Sequence, residues 1–358
     1  MAGSGGAERE AVERALKAWS ALSGARVEPL EGGLINQSWR AMVPGAEYVA
    51  QRVHGDFASG IHRNMQAVSS HLGDGDVSVA QLLTTDEGAL FSDLGEGGRW
   101  RVMKRLPGVT FRKCQSPAQA RSAGELVAAF HGSMADWDGP LEPIGFPFHE
   151  MDQHLEDLRR ALEERRDHPL RSRVSELAEK IFSIHATWPS RLSLPRRVLH
   201  GDLKLSNILF AGANPPESDR AQSLIDLDTI SRLPLFYDMG DAWRSWCNVG
   251  GEGPEDIRLD LEIFAASAEG YFSKLNFELL GEERDSMIPA LEYVSLELSA
   301  RFATDALFES HFAWSPENFS TRGEHNLYRA LGQLSLHDQA RETQQERARH
   351  LFGSSALG

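Results

Sequence analysis

Two short segments in the middle of the chain carry the side chains that phosphoryl transfer requires. They are residues 200–207 (HGDLKLSN) and residues 225–228 (IDLD). Phosphoryl transfer needs a carboxylate to orient the attacking hydroxyl, two oxygen ligands for Mg²⁺, and a cation against the charge of the transferred group. The side chains that match these roles are, in that order, Asp202, the pair Asn207 and Asp226, and Lys204.

An alternative interpretation is a hairpin that is rich in Asp and Asn only because these residues favour turns. The presence of Lys204 and Asn207 together with a second carboxylate favours the catalytic interpretation. Residues 206–210 and 223–227 predict two short strands, joined by a turn that contains Pro215-Pro216. This hairpin would bring Asn207 and Asp226 to one end of the strand pair, where two oxygen ligands suit Mg²⁺.

The length, net charge and cysteine content of the chain indicate its domain organisation and limit the kinds of partner it can bind. Its 358 residues predict two lobes. A formal net charge of −15 argues against nucleic acid or an anionic membrane as the main partner. The two cysteines, Cys114 and Cys247, do not indicate a disulfide framework. The N-terminus lacks the features of a signal peptide, and no apolar stretch approaches the ~20 residues that span a bilayer. We expect a cytoplasmic monomer or homodimer that acts on a small molecule.

The N-terminal part of the chain predicts a small β-rich lobe, residues 1–105. Residues 48–53 alternate as a strand does and end near a cation, Arg52. This cation either grips phosphate or is an ordinary solvated strand residue, since residues 57–73 offer no Asp or Glu to pair with it. The Gly32-Gly33 turn predicts a hairpin tip that lets backbone amides approach phosphate, with an ordinary tight turn as the alternative.

Residues 106–108 (LPG) predict a break between this lobe and a larger C-terminal lobe, residues 106–358. From residue 116 onwards the apolar spacing predicts helices, and residues 155–187 predict one long polar helical region. His131 lies beside an apolar stripe, which predicts a hydrogen-bonded core residue. Residues 1–22 predict a tail followed by a short amphipathic helix over 11–22.

The helix predicted over residues 289–308 carries an apolar stripe that continues into Arg301 and Asp305. Such a pair either forms a buried structural ion pair or opens onto a polar cavity. The roles of Asp238 and Asp241 in residues 237–244 are similarly open. These residues could cap a helix, brace the 200–207 segment or contact a substrate.

The 200–207 segment and Asp226 resemble the aminoglycoside phosphotransferase and choline kinase superfamily. This resemblance implies an α+β, bilobal protein-kinase-like fold, with a small β-rich N-lobe and a larger helical C-lobe. Further segments resemble bacterial N-acetylhexosamine 1-kinases, and together they run from about Glu31 to Leu336. They are residues 33–39, 48–53, 225–230, 237–244, 297–305 and 325–329. Gly201 follows the wider superfamily, where we expect Asn in the hexosamine kinases.

The resemblance implies ATP and Mg²⁺ as cofactors, with Asp202 as the catalytic residue that orients the acceptor hydroxyl. It implies further residues that bind the nucleotide, namely Asn36, Arg52 and the hinge backbone at Lys104, Arg105 and Leu106. It implies an amino sugar as the acceptor, bound by Asp202, Arg244, Arg301 and Asp305. Kinases for an aminoglycoside, choline or another amino alcohol, or homoserine remain alternatives, as does a pseudokinase that binds nucleotide without catalysis.

Overall fold

The computed structural model describes residues 4–30, 36–73, 75–188 and 194–353, and these form two compact units. The first unit is formed by Met1–Pro107, Asp138–Phe146 and Leu224–Ile230. The second is formed by Gly108–Trp137, Pro147–Ser223 and Ser231–Gly358. The contiguous lobes predicted from the sequence therefore leave out two later segments that pack with the first unit. The functions assigned to the lobes stay predictions.

The first unit is built around an antiparallel sheet. Its elements are, in chain order, α1 (Ser4–Ala15), β1 (Arg26–Leu30), β2 (Gln37–Val43), β3 (Ala46–Val53), α2 (Ile61–Leu72), β4 (Ser78–Val79), β5 (Leu82–Leu83), β6 (Ser92–Asp93) and β7 (Arg99–Lys104). The strands β1, β2, β3 and β7 lie side by side in that order, and β7 also pairs with β5 and β6. The predicted Gly32-Gly33 turn lies outside the described residues.

The alternation of side chains gives this sheet one apolar and one polar face. On the apolar face, Trp39, Ala50 and Trp100 pack with Val12 and Trp19 from the N-terminal segment. That segment is not the continuous helix predicted over residues 11–22, because α1 is followed by two short 3₁₀ turns. Burial of this apolar surface, at roughly 25 cal/mol per Å², stabilises the unit. Polar groups on the other face need partners of their own.

The second unit is mainly helical. Its elements are α3 (Pro117–Met134), α4 (Met151–Glu164), α5 (Arg171–His185), β8 (Arg197–Leu199), β9 (Ile208–Phe210), β10 (Ala221–Leu224, whose last residue belongs to the first unit), β11 (Ser231–Leu233), α6 (Phe236–Trp246), α7 (Leu261–Lys274), α8 (Gly281–Met287), α9 (Ala290–Phe308), α10 (Arg322–Glu342) and α11 (Gln344–Phe352). The helical region predicted over 155–187 is present and is divided into two helices. Pro169 disfavours a helical conformation at the preceding residue, and α4 and α5 are separate helices.

Helix α9 lies at the centre of the main helical core, where it packs with α4, α5 and α10. Helices α3 and α7 approach each other closely because each presents a glycine. A Cβ on Gly124 would lie 2.2 Å from the Ser267 carbonyl oxygen, and one on Gly270 would lie 2.1 Å from the Arg121 carbonyl oxygen. Within the described ranges, no helix has the length and apolar character needed to cross a membrane.

The hairpin predicted around the two motifs is present in a shortened form. Strands β9 and β10 are neighbours in one sheet, and Ala211 N donates to Arg220 O at 3.0 Å. The residues at the predicted strand ends instead form the 3₁₀ turns Leu205–Asn207 and Leu227–Thr229. Asn207 belongs to the second unit and Asp226 to the first, so their meeting at one end of the hairpin stays a prediction.

Candidate active site

The segment that carries Asp202 follows β8 and is held through its own backbone. His200 N and Gly201 N donate to the two carboxylate oxygens of Asp238, at 2.8 and 2.7 Å. Asp238 lies in the first turn of α6 and is fully buried. Gly201 has φ +85°, a conformation that glycine adopts readily because it has no Cβ. The predicted bracing role of Asp238 is therefore confirmed.

A buried histidine supports the same carboxylate. His131 Nε2 lies 3.0 Å from Asp238 Oδ2, and its Nδ1 lies 3.0 Å from the Tyr271 hydroxyl. Burial alone would raise the pKa of Asp238, but the hydrogen bond and charge of His131 outweigh burial and hold that pKa below its usual range. Asp238 therefore remains an ionised acceptor for the backbone. The prediction that His131 is a hydrogen-bonded core residue is confirmed.

Asp202, Lys204 and Asn207 are in direct contact. Lys204 Nζ donates to Asp202 Oδ2 at 2.5 Å, and Asn207 Nδ2 donates to the same oxygen at 3.0 Å. Burial alone would raise the pKa of Asp202, but Lys204 outweighs it and holds the pKa at about 2. The carboxylate is therefore ionised at neutral pH and can accept a hydrogen bond from a hydroxyl. Because Asn207 turns its amide nitrogen towards Asp202, its Oδ1 oxygen is the atom that can bind a cation.

Charged side chains from two helices extend this arrangement. Arg244 donates to Asp241 Oδ1 through Nε at 3.0 Å and through Nη2 at 2.6 Å. Burial lowers the pKa of Arg301, while Glu297, Asp202 and Asp241 attract its positive charge. We call the group the polar cluster, and its members are Asp202, Lys204, Asp241, Arg244, Glu297 and Arg301.

Of the two alternatives considered for Arg301 and Asp305, the ion pair between them is not found among the described residues. Asp305 Oδ1 accepts from Ser310 N at 2.8 Å and from His311 N at 2.9 Å. Its Oδ2 accepts from Asn326 Nδ2 at 2.8 Å. Helix α9 ends at Phe308, and the carboxylate binds backbone amides of the loop that follows it. Asp305 thus stabilises the loop after α9, and its hydrogen bonds do not support the predicted role in acceptor binding.

In the first unit, Asp226 lies between β10 and the 3₁₀ turn Leu227–Thr229. It has φ +66° and ψ +58°, a left-handed conformation that Asp tolerates better than most residues. Two residues later, Asp228 pairs with Arg101 of β7, and both side chains are almost completely buried (2% and 0% exposed). The turn that carries Asp226 is therefore tied to the polar face of the sheet.

Arg101 has further partners on the same face. Its Nε and Nη2 atoms donate to Gln51 Oε1 on β3 at 3.0 and 2.7 Å. Its Nη1 atom lies 3.0 Å from the sulfur of Met65 on α2. Arg101, Asp228 and Gln51 therefore form a buried polar network within the first unit.

Arg52, the predicted phosphate-binding cation, lies on the opposite face of the sheet from Gln51 because adjacent strand residues alternate. Its Nη2 atom lies 3.4 Å from the Glu96 carbonyl oxygen, beside a polar surface cavity of about 570 Å³. Arg52 therefore does not join the Arg101 network, and both alternatives considered for it, a phosphate-binding cation and a solvated strand residue, stay predictions.

Asn36, another predicted nucleotide-binding residue, uses its side-chain amide within the first unit. Nδ2 donates to Asp228 Oδ2 at 2.7 Å, and Oδ1 accepts from His54 N at 3.0 Å. These bonds assign Asn36 a positioning role beside the Arg101–Asp228 pair.

At the predicted hinge, two of the three backbone amides already have hydrogen-bond partners. Lys104 N donates to Gln81 O at 3.2 Å, and Arg105 N donates to Glu47 O at 3.0 Å. Neither amide is available to donate to an adenine ring. For Leu106 N, the described residues show no backbone hydrogen bond, so it is the amide that suits the predicted contact.

Several residues of the candidate site escaped the sequence analysis. Arg101 was missed because β7 has the sequence RWRVMK, in which alternation places Trp100 and Val102 on the apolar face and predicts that Arg101 is solvated. Glu297 lies in a predicted helix, but nothing in its spacing separates it from a solvated acid. His149 lies in the loop before α4 and contacts Gly201 and Glu297. Loops carry no periodic signal, which is why His149 was missed.

Comparison with known proteins places these observations in a family. The model of the phosphotransferase enzyme family (APH) matches residues 26–271, which is more than half of the chain. This range includes Asp202, Lys204, Asn207 and Asp226.

Solved structures share the fold at low sequence identity. A microcompartment-associated aminopropanol kinase is 16% identical, with a TM-score of 0.62 and coverage of 93% of this chain and 97% of that one. An aminoglycoside phosphotransferase from Alicyclobacillus acidocaldarius is 17% identical, with a TM-score of 0.56 and coverage of 93% and 96%. An amicoumacin kinase, solved in complex with AMP-PNP, Ca²⁺ and Ami, is 13% identical, with a TM-score of 0.59 and coverage of 87% and 88%.

These matches confirm the predicted superfamily and the mixed fold, with an antiparallel sheet in the N-terminal region and helices in the C-terminal region. They do not separate hexosamine kinases from kinases of other small molecules. The chain belongs to the phosphotransferase enzyme family, whose members phosphorylate small molecules.

Proposed function

We propose that this phosphotransferase transfers the γ-phosphate of ATP to a hydroxyl of an uncharged sugar, with the anomeric hydroxyl of an N-acetylhexosamine as the preferred acceptor. In this proposal Asp202 accepts a hydrogen bond from the attacking hydroxyl and takes its proton as the new P–O bond forms. Lys204 holds the carboxylate in its ionised form and offers positive charge to the transferred group.

The proposal of an uncharged acceptor rests on the charge balance of the polar cluster. Its three carboxylates are matched by three permanent cations, which are Lys204, Arg244 and Arg301. A buried charge requires a partner of opposite sign. An acceptor with an ammonium group would therefore have to enter a cluster whose carboxylates already face cations, whereas a neutral polyol adds no charge.

Two oxygens of the polar cluster favour an acceptor with several hydrogen-bond donors. Asp241 Oδ2 and Glu297 Oε2 are buried and have no hydrogen-bond partner among the described residues. A buried acceptor atom without a partner costs about 1–3 kcal/mol. Sugar hydroxyls or an acetamido N–H would satisfy these oxygens, and this gain would appear only when the acceptor is bound.

Asn207 and Asp226 fit Mg²⁺ by the chemistry of their donor atoms. Mg²⁺ prefers oxygen ligands and binds through one or two carboxylates together with water and substrate phosphates. Asn207 Oδ1 and the Asp226 carboxylate are oxygens of this kind. The ion would neutralise charge on the phosphates of ATP, while Asp202 acts on the acceptor hydroxyl.

An amino-alcohol or aminoglycoside acceptor is the second candidate. The solved structures with a similar fold include an aminopropanol kinase and an aminoglycoside phosphotransferase. The two unpartnered carboxylate oxygens could also bind an ammonium group. The charge balance argues against this candidate, and a direct test separates the two.

The test measures ADP release with matched acceptors. N-acetylglucosamine and glucosamine differ by the acetyl group that removes the ammonium charge, and they are compared at a pH at which the free amine is protonated. We expect kcat/KM to be roughly 30-fold to several thousand-fold higher for the acetylated sugar, because a buried unpaired charge costs about 2–5 kcal/mol. Phosphorus NMR identifies the phosphorylated hydroxyl.

The same assay includes 1-amino-2-propanol, choline, homoserine and an aminoglycoside. Turnover of one of these without turnover of any N-acetylhexosamine would overturn the sugar proposal and leave the phosphotransferase assignment intact. If no acceptor in the panel released ADP although nucleotide bound, the pseudokinase alternative would be favoured instead.

Replacement of the proposed metal ligands should have unequal effects. Asp226→Ala removes a charged ligand, so we expect metal-dependent nucleotide binding to be lost. Asn207→Ala removes a neutral ligand and should raise the Mg²⁺ concentration required for half-maximal activity. Titration calorimetry with a non-hydrolysable ATP analogue, at several Mg²⁺ concentrations, measures both effects. Wild-type Mg²⁺ dependence in both variants would place the metal site elsewhere.

Arg301 should affect acceptor use and spare the nucleotide. In Arg301→Gln, the acceptor KM should rise by about 10–10²-fold, since a hydrogen bond to a charged group contributes about 1.5–3 kcal/mol. The Kd for nucleotide should change little. Arg173→Gln, on the exposed side of α5, is the matched control and should behave as the wild type. An unchanged acceptor KM together with a lowered melting temperature would assign Arg301 a structural role only.

A further inference from the structure

His149 and Asp238 both contact the segment that carries Asp202, but they contact different kinds of backbone group. Asp238 binds the amides of residues 200 and 201, whereas His149 Nε2 lies 2.9 Å from the Gly201 carbonyl oxygen. Its other ring nitrogen, Nδ1, lies 3.0 Å from Glu297 Oε1. His149 is itself only 5% exposed, and its ring stacks on Tyr237 at 4.6 Å between centroids.

The two partners determine the protonation state of the ring. A carbonyl oxygen can only accept a hydrogen bond, and an ionised carboxylate likewise. A neutral imidazole has one N–H and could satisfy only one of the two partners. Both bonds form together only when both ring nitrogens carry a proton.

We propose that His149 is a positioning residue that acts as a buried imidazolium ion, donating to Glu297 and to the Gly201 carbonyl oxygen and thereby fixing the peptide that precedes Asp202. The inference rests on the proposed catalytic role of Asp202 and does not depend on which acceptor the enzyme uses. The backbone conformation of His149 agrees with a specialised site, because its φ of +55° is uncommon for a residue other than glycine.

The charges around His149 support the protonated form. Burial alone would lower the pKa of His149, but Glu297, Asp241 and the Gly201 carbonyl oxygen outweigh it and raise that pKa above its usual value. The titratable and charged groups that face this environment are Glu297 and Arg301 on α9, Tyr237 and Asp241 on α6, and His154 on α4. Burial lowers the pKa of His154 to about 4, so this neighbour is neutral at pH 7.

The pH dependence follows from the direction of this shift. Since the pKa of His149 is raised in the folded protein, its contribution is complete at low pH and is lost as the pH rises through the raised value. Turnover should therefore fall on the basic side as the Gly201 carbonyl oxygen or Glu297 loses its donor.

Three variants test the role in catalysis. His149→Phe keeps a stacking ring and removes both donors, and we expect kcat to fall by on the order of 10²-fold, the cost of a displaced catalytic group. His149→Gln keeps one donor group, so its kcat should be higher than that of His149→Phe. Because Gln does not titrate, the fall of kcat at high pH that is due to His149 should disappear. His154→Gln is the matched control, because His154 faces the same carboxylate but has no bond to the 200–207 segment. It should keep the wild-type kcat and pH profile.

Wild-type kcat in His149→Phe, or a basic limb that is unchanged in His149→Gln, would overturn the proposal. Nitrogen-15 NMR of the histidine rings in the wild-type protein provides a second test that requires neither folding of a variant nor an active acceptor. We expect two ring protons on His149 at pH 7. A single ring proton would overturn the proposal even if kinase activity were demonstrated, and two would support it even if the sugar assignment failed.

Discussion

Asp202→Asn should reduce turnover by roughly 10²–10⁴-fold, the range for loss of general-base assistance, while nucleotide binding is retained. The amide cannot take the proton of the acceptor hydroxyl, and it also removes the negative charge that Lys204 neutralises through a 2.5 Å contact. The change preserves the shape of the side chain, so the backbone bonds from residues 200 and 201 to Asp238 should persist. Steady-state kcat and the Kd of an ATP analogue measure the two effects separately.

Asp136→Asn, an exposed position after α3, is the control for the chemical change itself and should leave turnover unaltered. Because Lys204 holds the pKa of Asp202 at about 2, the wild-type enzyme should show no acid limb from this residue above pH 5. An Asp202→Asn variant with near-normal kcat would remove Asp202 from the mechanism. A variant that lost nucleotide binding as well as turnover would instead indicate a structural role.

The parts of the site that were predicted from the sequence are those in which chemistry depends on short spacing. Asp202, Lys204 and Asn207 lie within six residues of one another, so one turn of chain places them in contact. Their mutual hydrogen bonds agree with this expectation. Bracing of the 200–207 segment was one of the alternatives given for Asp238, and the amides of His200 and Gly201 confirm it.

Long-range partners could not be predicted in the same way. The four-residue spacing of Arg301 and Asp305 suggested either an ion pair or a shared polar cavity, but it gave no information about the loop that follows α9. Asp305 binds amides of that loop, and Arg301 instead lies among Glu297, Asp202 and Asp241. Helical spacing places two residues on one face and leaves open which other groups compete for them.

The Arg101–Asp228 pair shows the same limit over a larger separation. Its members are 127 positions apart in sequence, so no local pattern connects them. A protein kinase would carry a cation on β3 and an acid on α2, and Arg52 on β3 was the candidate cation. Arg101 on β7 and Asp228 in the turn after Asp226 instead form a buried ion pair within the first unit. The strand register, which aligns Gln51 with Arg101, completes the arrangement.

Disruption of this pair should have the largest effect on stability. Arg101→Met leaves Asp228 buried without its main cationic partner, and we expect a loss of about 3–5 kcal/mol in the free energy of unfolding of the first unit. Asp228→Asn leaves Arg101 unpaired and should have a similar cost. Thermal unfolding monitored by tryptophan fluorescence reports on this unit through Trp39 and Trp100, which pack in its core.

The double variant Arg101→Met with Asp228→Asn distinguishes a coupled pair from two independent contributions. Because it leaves neither charge unpaired, it should be less destabilised than the sum of the single variants. Arg40 and Glu47 form a solvent-exposed pair on the same sheet, with side chains 33% and 36% exposed. Arg40→Met is thus the matched control and should change the melting temperature little, because water screens exposed pairs.

The pair should also matter for nucleotide binding, because Asp228 is joined by one short turn to Asp226. When Arg101 is replaced, the left-handed conformation of Asp226 loses part of the structure that holds it, and strained conformations persist only where their surroundings fix them. We therefore expect Arg101→Met to raise the Mg²⁺ concentration required for nucleotide binding even at temperatures where the variant is fully folded. Normal Mg²⁺ dependence in a folded Arg101→Met protein would restrict the pair to stability. Unchanged melting temperatures in both single variants would show that the buried pair does not stabilise the unit at all.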